Sequence, residues 1–222
     1  MKFICIAVFL LSTIVAIAQD REVAIDEFET IKTFDLIKVN LVKADENKIL
    51  FQGRDGDDVE FVERDGLLKV RMKHDKIFDG QNTFITVYYT DIKTIDANEG
   101  SIIYANELME QDDLELRVQE GATIKAGVRI DNLDVRAVTG GIIQLSGKVN
   151  NQQVVVNTGG IIENEDLITA YTSVKVQAGG EVEVHATKSV DVNIKAGGDV
   201  IVYGDPKKVN KKTLFGGSVV IR

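Results

Sequence analysis

Residues 178–200 read AGGEVEVHATKSVDVNIKAGGDV and hold one complete repeat of the sequence. The stretch contains a glycine pair near each end, and polar and apolar residues alternate between them in two runs, 181–186 and 190–196. Alternation with period two is the signature of a half-buried strand, and glycines permit tight corners. The segment therefore predicts two short strands joined by a polar turn and bounded by glycine corners.

The same pattern recurs through the second half of the chain. Successive anchor glycines are spaced by 21, 19, 19, 20, 18 and 19 residues, and a small residue follows each one. Three positions after every anchor stands isoleucine or valine, and five positions after it six of seven residues are apolar. Such columns indicate a repeat whose units occupy equivalent places in the fold. The anchors are Gly100, Gly121, Gly140, Gly159, Gly179, Gly197 and Gly216.

Strand segments at this spacing stack either as an antiparallel meander or as a solenoid. A solenoid places equivalent residues of successive coils above one another, which accounts for the columns of one residue type. The seven anchors thus predict an all-β fold, a right-handed parallel β-helix of about seven coils. Its length would be on the order of 34 Å at ~4.8 Å per strand. The alternative is an antiparallel sandwich, in which the repeat glycines would lie on oppositely directed strands.

The chain before residue 98 has a different pattern. Its apolar runs are separated by Asp55-Gly56, Asp65-Gly66 and Asp79-Gly80, which are hairpin signals. Residues 26–97 are therefore predicted to form antiparallel hairpins or irregular coils that cap the solenoid, since a bare terminal strand invites aggregation. No linker separates this capping region from the repeats at 98–222, so we expect a single domain over residues 19–222.

The first eighteen residues have the pattern of a secretory signal peptide. Lys2 gives a positive start, residues 3–17 are almost continuously apolar, and Ala16-Ile17-Ala18 is a small-x-small cleavage pattern. The apolar run is shorter than the ~20 residues of a membrane-spanning helix, so we expect cleavage after Ala18 rather than a membrane anchor. Cys5 is the only cysteine and leaves with this segment. The sequence predicts an exported protein of the periplasm, cell surface or extracellular space, with no transmembrane span.

Composition argues against several kinds of chemistry. The chain without its first eighteen residues has 25 basic and 35 acidic residues, a net charge of −10. General nucleic-acid binding needs a basic footprint and is not expected. His74 and His185 stand far apart with no Cys/His cluster, so no catalytic residue, cofactor or metal site is predicted. The acidic segment 55–63 lacks the EF-hand ligand order and is interpreted as a solvated turn.

Two surface features are candidate sites. A predicted basic loop after Asp205-Pro206 could meet anionic glycan or lipid headgroups, or it could be a charged cap that blocks edge pairing. Glu181 and Asp199 have the same offset in adjacent coils, so they would lie ~5 Å apart, near the carboxylate separation of retaining glycosidases. No aromatic sugar platform accompanies this pair. The basic loop consists of Lys207, Lys208, Lys211 and Lys212.

The order of features resembles the family named "putative auto-transporter adhesin, head GIN domain". The resemblance spans residues 26–222 and includes the opening Phe28-Glu29-Thr30-Ile31, the strand 36–41, Gly53-Arg54-Asp55, the stretches 65–70 and 84–89, and the closing 216–219. The family often has Ser-Gly-Ser-Gly rungs, whereas here Gly-Gly pairs mostly follow threonine or alanine.

The resemblance implies a parallel β-helix of Bacteroidetes-type bacteria at the envelope or surface, with an adhesive or structural role and no catalytic residues. We therefore expect a non-enzymatic, adhesin-like binding or structural protein whose partner is a glycan or an envelope or surface protein. A homo-oligomer is left open. The alternative is a polysaccharide-processing enzyme on a β-helix scaffold.

Overall fold

The structure, a computed structural model, describes residues 21–222. The predicted signal peptide lies outside these residues. Short 3-10 helices occur at Gly56–Asp58, His74–Lys76 and Gly80–Asn82. The strands of the described chain are β1 (Arg21–Ala24), β2 (Thr30–Thr33), β3 (Lys38–Lys43), β4 (Lys48–Gly53), β5 (Val59–Arg64), β6 (Leu67–Met72), β7 (Thr83–Tyr89), β8 (Thr94–Ala97), β9 (Ile102–Val118), β10 (Thr123–Val138), β11 (Ile142–Asn157), β12 (Ile161–Val176), β13 (Glu181–Ala196), β14 (Asp199–Tyr203), β15 (Lys208–Phe215) and β16 (Ser218–Ile221).

The repeats form a parallel β-solenoid. The long strands β9 to β13 pair in parallel with their neighbours in chain order. The stack continues where the first part of β13 pairs with β14, its second part pairs with β15, and β14 pairs with β16. The predicted all-β solenoid of about seven turns is confirmed.

Each long strand contains two arms that meet at a corner. In β10 every second side chain is buried from Ile124 to Ile130, two exposed residues follow, and burial resumes at Leu133. We call the part before this phase shift the first arm and the part after it the second arm. The corner is tied from coil to coil because Asn132 donates its amide to Asp113 at 2.9 Å and Asn151 donates to Asn132 at 3.0 Å.

The column three positions after each anchor forms the centre of the core. Its members are in register across β9 to β14, and burying each branched side chain contributes about 1.5–3 kcal/mol. Val219 in the last strand is partly buried, and the other six members are at most 1% exposed: Ile103, Ile124, Ile143, Ile162, Val182 and Val200. One polar residue enters the next inward column. Asn164 is fully buried, and its side-chain oxygen accepts a hydrogen bond from the Leu145 N–H at 3.1 Å.

The anchor glycines make two kinds of corner. At the first four anchors the anchor and the residue before it both have positive φ, as in Thr158 (50°) and Gly159 (74°). At the last three anchors both glycines of the pair have positive φ, as in Gly179 (62°) and Gly180 (133°). Gly160 serves a different need, because a Cβ there would lie 2.3 Å from the Ala137 carbonyl oxygen. In this dipeptide Gly159 therefore allows the left-handed backbone of the corner, and Gly160 allows the adjacent coil to approach closely.

The strands before residue 98 build one end of the solenoid, but their spatial order differs from their chain order. β2 pairs in parallel with both β6 and β8, and β3 pairs in parallel with both β7 and β9. The antiparallel pairs β1–β4, β4–β7 and β5–β6 complete this end. The region predicted as a cap therefore contributes parallel rungs as well as hairpin-like pairs.

One of the three Asp-Gly hairpin predictions is confirmed. Asp65 (φ 50°) and Gly66 (φ 74°) join β5 to β6 as a two-residue hairpin. The other two are wrong, because Asp55 (φ −106°) and Asp79 (φ −107°) precede 3-10 helices that begin at Gly56 and Gly80. These two Asp-Gly pairs therefore start helical turns instead of joining paired strands.

Asp35 is a buried carboxylate that organises this end. It is 4% exposed, and its side chain accepts hydrogen bonds from the backbone N–H groups of Met72 at 3.0 Å and Phe78 at 3.2 Å. Its carbonyl oxygen accepts the Gly80 N–H at 3.1 Å. Burial, together with the neighbouring Asp35 charge, raises the pKa of the Glu99 carboxyl above its ordinary value. The loop between β6 and β7 is thus fastened to the first corner of the solenoid.

Across residues 21–222, no helix has the length and apolar character needed to cross a bilayer.

Candidate functional site

Outward side chains form columns along both arms, because the coils stack in register. The first arm carries an open groove of about 650 Å³ whose lining includes Tyr104, Lys125, Glu163 and Glu183. Glu163 accepts a hydrogen bond from the amide of Gln144 in the adjacent coil. This groove is predominantly acidic, since Glu165 and Asp166 also line it.

Glu181 and Asp199 are registered neighbours on β13 and β14, as their offsets predict. They line a shallow depression of about 290 Å³ together with Glu163 and Glu183. Within residues 21–222 neither Glu181 nor Asp199 has a cation at ion-pair distance. The depression therefore offers acceptors and negative charge on one face.

The two histidines lie apart. His74 is exposed in the 3-10 helix that follows β6. His185 lies on the outer side of β13, as strand alternation predicts, with its Nδ1 3.0 Å from the Glu165 carbonyl oxygen. In the described part of the chain no group of three or more His, Cys, Asp or Glu side chains is arranged to hold a metal ion.

The acidic segment around Asp55 is engaged by its own neighbours. Asn82 donates its amide to Asp55 at 3.1 Å, and this hydrogen bond is the main cause that lowers the pKa of the Asp55 carboxyl. Asp58 forms an ion pair with Lys73 at 3.3 Å. These carboxylates fasten the loops at this end of the solenoid.

The prediction of a basic loop is wrong, because three of its four lysines lie on a strand, and the four do not share one surface. Lys207 precedes β15, and Lys208, Lys211 and Lys212 lie on that strand, which pairs only with β13 among the described strands. Lys211 is registered with buried Val192, whereas Lys212 is registered with exposed Asn193. Lys211 therefore lies on the core side of an edge strand, where a charge opposes further strand pairing. Lys212 belongs to the outer face of the second arm.

Sequence reasoning missed a column of basic residues along that outer face, which we call the basic column. From Asp96 onward each member stands four residues before an anchor glycine, so counting backward from the anchors would have revealed it. Six of its nine positions are lysine or arginine and one is acidic. In spatial order the column is Lys69, Lys32, Asp96, Arg117, Arg136, Val155, Lys175, Asn193 and Lys212.

The basic column lies on a regular surface. Every register shift between β9 and β13 falls in the first arm or at the corner, and the second arms pair without interruption. Shallow depressions of about 400 Å³ and 280 Å³ lie along the column. The first contains Arg117 and Arg136, and the second contains Lys175 and Lys212.

Part of the basic charge is already paired. Arg117 contacts Glu115 at 2.7 Å, Lys32 contacts Asp96 at 3.2 Å, and the Lys69 ammonium lies 4.5 Å from the centre of the Phe34 ring. Over residues 21–222 no carboxylate lies at ion-pair distance from Arg136, Lys175 or Lys212. These three exposed cations are therefore available to an external anion.

The fold defines the class of protein: the chain is a parallel β-solenoid protein whose exposed faces carry columns of side chains. The family described as "Putative auto-transporter adhesin, head GIN domain" matches residues 27–206, and the chain belongs to that family. The residues that carry the resemblance in the sequence thus identify the family correctly. None of the curated proteins compared with the sequence matches it.

Solved structures share this fold at low sequence identity. A protein described as a "putative adhesin" from Bacteroides fragilis has a TM-score of 0.83 at 16% identity, covering 92% of this chain and 96% of that one. Another with that description, from Parabacteroides distasonis, has a TM-score of 0.75 at 17% identity, with 92% and 96% covered. A "putative lipid binding protein" from Parabacteroides distasonis has a TM-score of 0.66 at 18% identity, with 91% and 96% covered.

Proposed function

We propose that the chain is an exported, non-enzymatic binding protein of the cell envelope or surface, built as one domain over residues 19–222. The observation that carries the proposal is the unbroken outer face of the second arm, on which exposed charged and amide side chains repeat from coil to coil. Membership of an adhesin-named family and a fold shared with proteins described as adhesins support the same role. A repetitive, shallow face suits an extended partner better than a small substrate.

The binding proposal is tested with the protein purified as residues 19–222. The labelled protein is applied to a glycan array and to intact bacterial cells, and reducing sugar is measured in parallel. We expect retention on array features or cell surfaces without sugar release. Release of sugar products would overturn the non-enzymatic role, and absence of retention on every surface would overturn the binding role.

A polysaccharide-processing enzyme is the second candidate, and the registered Glu181–Asp199 pair favours it. In that case Glu181→Gln and Asp199→Asn would each abolish sugar release, because a retaining mechanism needs both carboxylates. The exposed Glu110→Gln variant, whose carboxylate pairs with Arg129 at 2.6 Å on another column, is the matched control.

Export is tested separately from binding. The full chain is expressed in a bacterium with a general secretion pathway, and the intact mass of the recovered protein is measured outside the cytoplasm. A signal peptide removed after Ala18 gives a chain that begins at Gln19. Recovery of the uncleaved chain in the cytoplasm would contradict export.

A further inference from the structure

Resting on the proposed binding function, we propose that the basic column is the binding site for an acidic polysaccharide whose carboxylate or sulfate groups lie along the second arm. The column holds six cations in nine positions, although the chain from residue 19 onward has a net charge of −10. A concentration of positive charge on one line of an acidic protein attracts a linear anion locally.

The spacing of the column suits a polymer. At ~4.8 Å between adjacent strands, the eight intervals from Lys69 to Lys212 span about 38 Å. One strand interval is close to the length of a hexopyranose unit in an extended chain. Arg117 and Arg136 are adjacent, and Lys175 and Lys212 stand two intervals apart. Anionic groups on successive or alternate sugars could therefore each meet a cation.

The neighbouring columns limit the width of the site. Two residues earlier on the same strands, Glu115, Asp134 and Asp191 form an acidic flank. A flat anionic surface such as a lipid bilayer would press against these carboxylates as well as against the basic column, and like-charge contacts oppose such binding. A single narrow chain that follows the basic column meets fewer of these carboxylates, although Glu115 and Asp191 also line the depressions along it.

The other flank provides groups that bind sugar hydroxyls. Gln119, Asn157 and Gln177 stand two residues after column positions on their strands, and Asn193 lies within the column itself. Amides offer both donors and acceptors, as hydroxyl recognition requires. From Glu115 to Lys212 the outward positions of the described second arms carry no aromatic ring, so the stacking platform typical of single-stranded nucleic-acid sites is missing there.

The test uses the full mature chain and defined probes immobilised on a sensor. Heparin presents sulfates as well as carboxylates, polygalacturonate presents carboxylates alone, and dextran is a neutral control. We expect binding to heparin, polygalacturonate or both, with none to dextran, and weaker binding as salt increases because exposed charge pairs are screened. Binding to heparin alone would show that the column requires sulfates, and binding to polygalacturonate would show that carboxylates suffice.

A matched pair of variants locates the site. Arg136→Glu/Lys175→Glu reverses two exposed cations of the basic column, and Lys125→Glu/Lys148→Glu reverses two exposed cations of the first arm with the same change in net charge. We expect the first variant to lose about tenfold or more in affinity and to show a smaller salt dependence. The second variant should stay within about twofold, since its charges are remote and screened. Circular dichroism and thermal unfolding verify that both variants fold.

Several outcomes would overturn the inference. Equal losses in the two variants would show that net charge, rather than the column, governs binding. Wild-type binding to phosphatidylglycerol vesicles or single-stranded DNA in place of both polysaccharides would assign the column to a different partner. Retention on neutral glycans that Arg136→Glu/Lys175→Glu leaves unchanged would overturn this inference and leave the proposed binding function standing.

Discussion

Alanine substitutions at Gly159 and Gly160 measure two different stability costs at one corner: that of a left-handed backbone at 159 and that of a steric clash between coils at 160. An alanine Cβ at position 160 would stand 2.3 Å from the Ala137 oxygen, 2.6 Å from its carbonyl carbon and 2.9 Å from its Cβ. Two of these atoms are backbone and the third is an alanine Cβ, so rotation of a side chain cannot relieve the clash. Ordinary contacts need about 3.5 Å, and the coils would have to separate locally by roughly 1 Å.

We therefore expect Gly160→Ala to destabilise the fold by about 3 kcal/mol, at the upper end for overpacking. For a chain of this size the loss corresponds to about 6–12 °C in melting temperature. Gly159→Ala is the matched control, since its φ is +74° and nothing lies within 4 Å of the added carbon. Its cost should be about 1 kcal/mol, from the left-handed backbone alone.

Thermal and denaturant unfolding, followed by circular dichroism, measure both variants. A loss for Gly159→Ala equal to or above that for Gly160→Ala would refute the steric argument. Ala122 already holds a Cβ at the equivalent corner and is fully buried. A Cβ at Gly141 would likewise lie 2.8 Å from the carbonyl carbon and oxygen of Val118, so the predicted clash belongs to the corners at which adjacent coils approach most closely.

Three further predictions concern buried polar groups. Gln152→Leu should raise the free energy of unfolding by about 1 kcal/mol, because neither side-chain amide atom of Gln152 has a hydrogen-bond partner in residues 21–222. The increase would be measured as a higher denaturant midpoint, and a lower midpoint would contradict this. Asp35→Asn should cost about 1–3 kcal/mol in the same assay by leaving a Met72 or Phe78 N–H unpaired; wild-type stability would contradict it. Burial raises the pKa of Tyr89 to about 12, so wild-type stability should fall as pH rises from about 10, the unfolded value, to about 12. Tyr89→Phe should remove that fall, and persistence of the fall would assign it to another group.

The repeats could be predicted because their determinants are local. The glycine at each corner and the branched residue that follows it are only three positions apart, and both recur at the same place in every repeat. The arrangement of β2, β3, β6 and β7 could not be predicted in this way. Each of these strands pairs in parallel with a segment that is distant in the sequence, and no short pattern specifies which strand lies between which others.

The candidate site shows the same division. Glu181 and Asp199 can be placed together from the sequence because both stand two residues after their anchors, where the coils are still in step. β9 has extra residues between Ala105 and Met109, so Arg117 and Arg136 stand at unequal distances after Gly100 and Gly121. Counting forward from the anchors therefore does not show that the two arginines are aligned. The lysines of β15 are close in sequence, but strand alternation directs Lys211 and Lys212 to opposite sides.

The confinement of register shifts to the first arm and the corner has an evolutionary consequence. Repeat units of unequal length absorb their differences between Ala126 and Val128, between Gln144 and Gly147, and between Asn164 and Tyr171. Small insertions can thus remodel the acidic groove while every charge on the second arm keeps its place. The two faces are free to diverge at different rates, one through changes in loop length and the other only through point substitution.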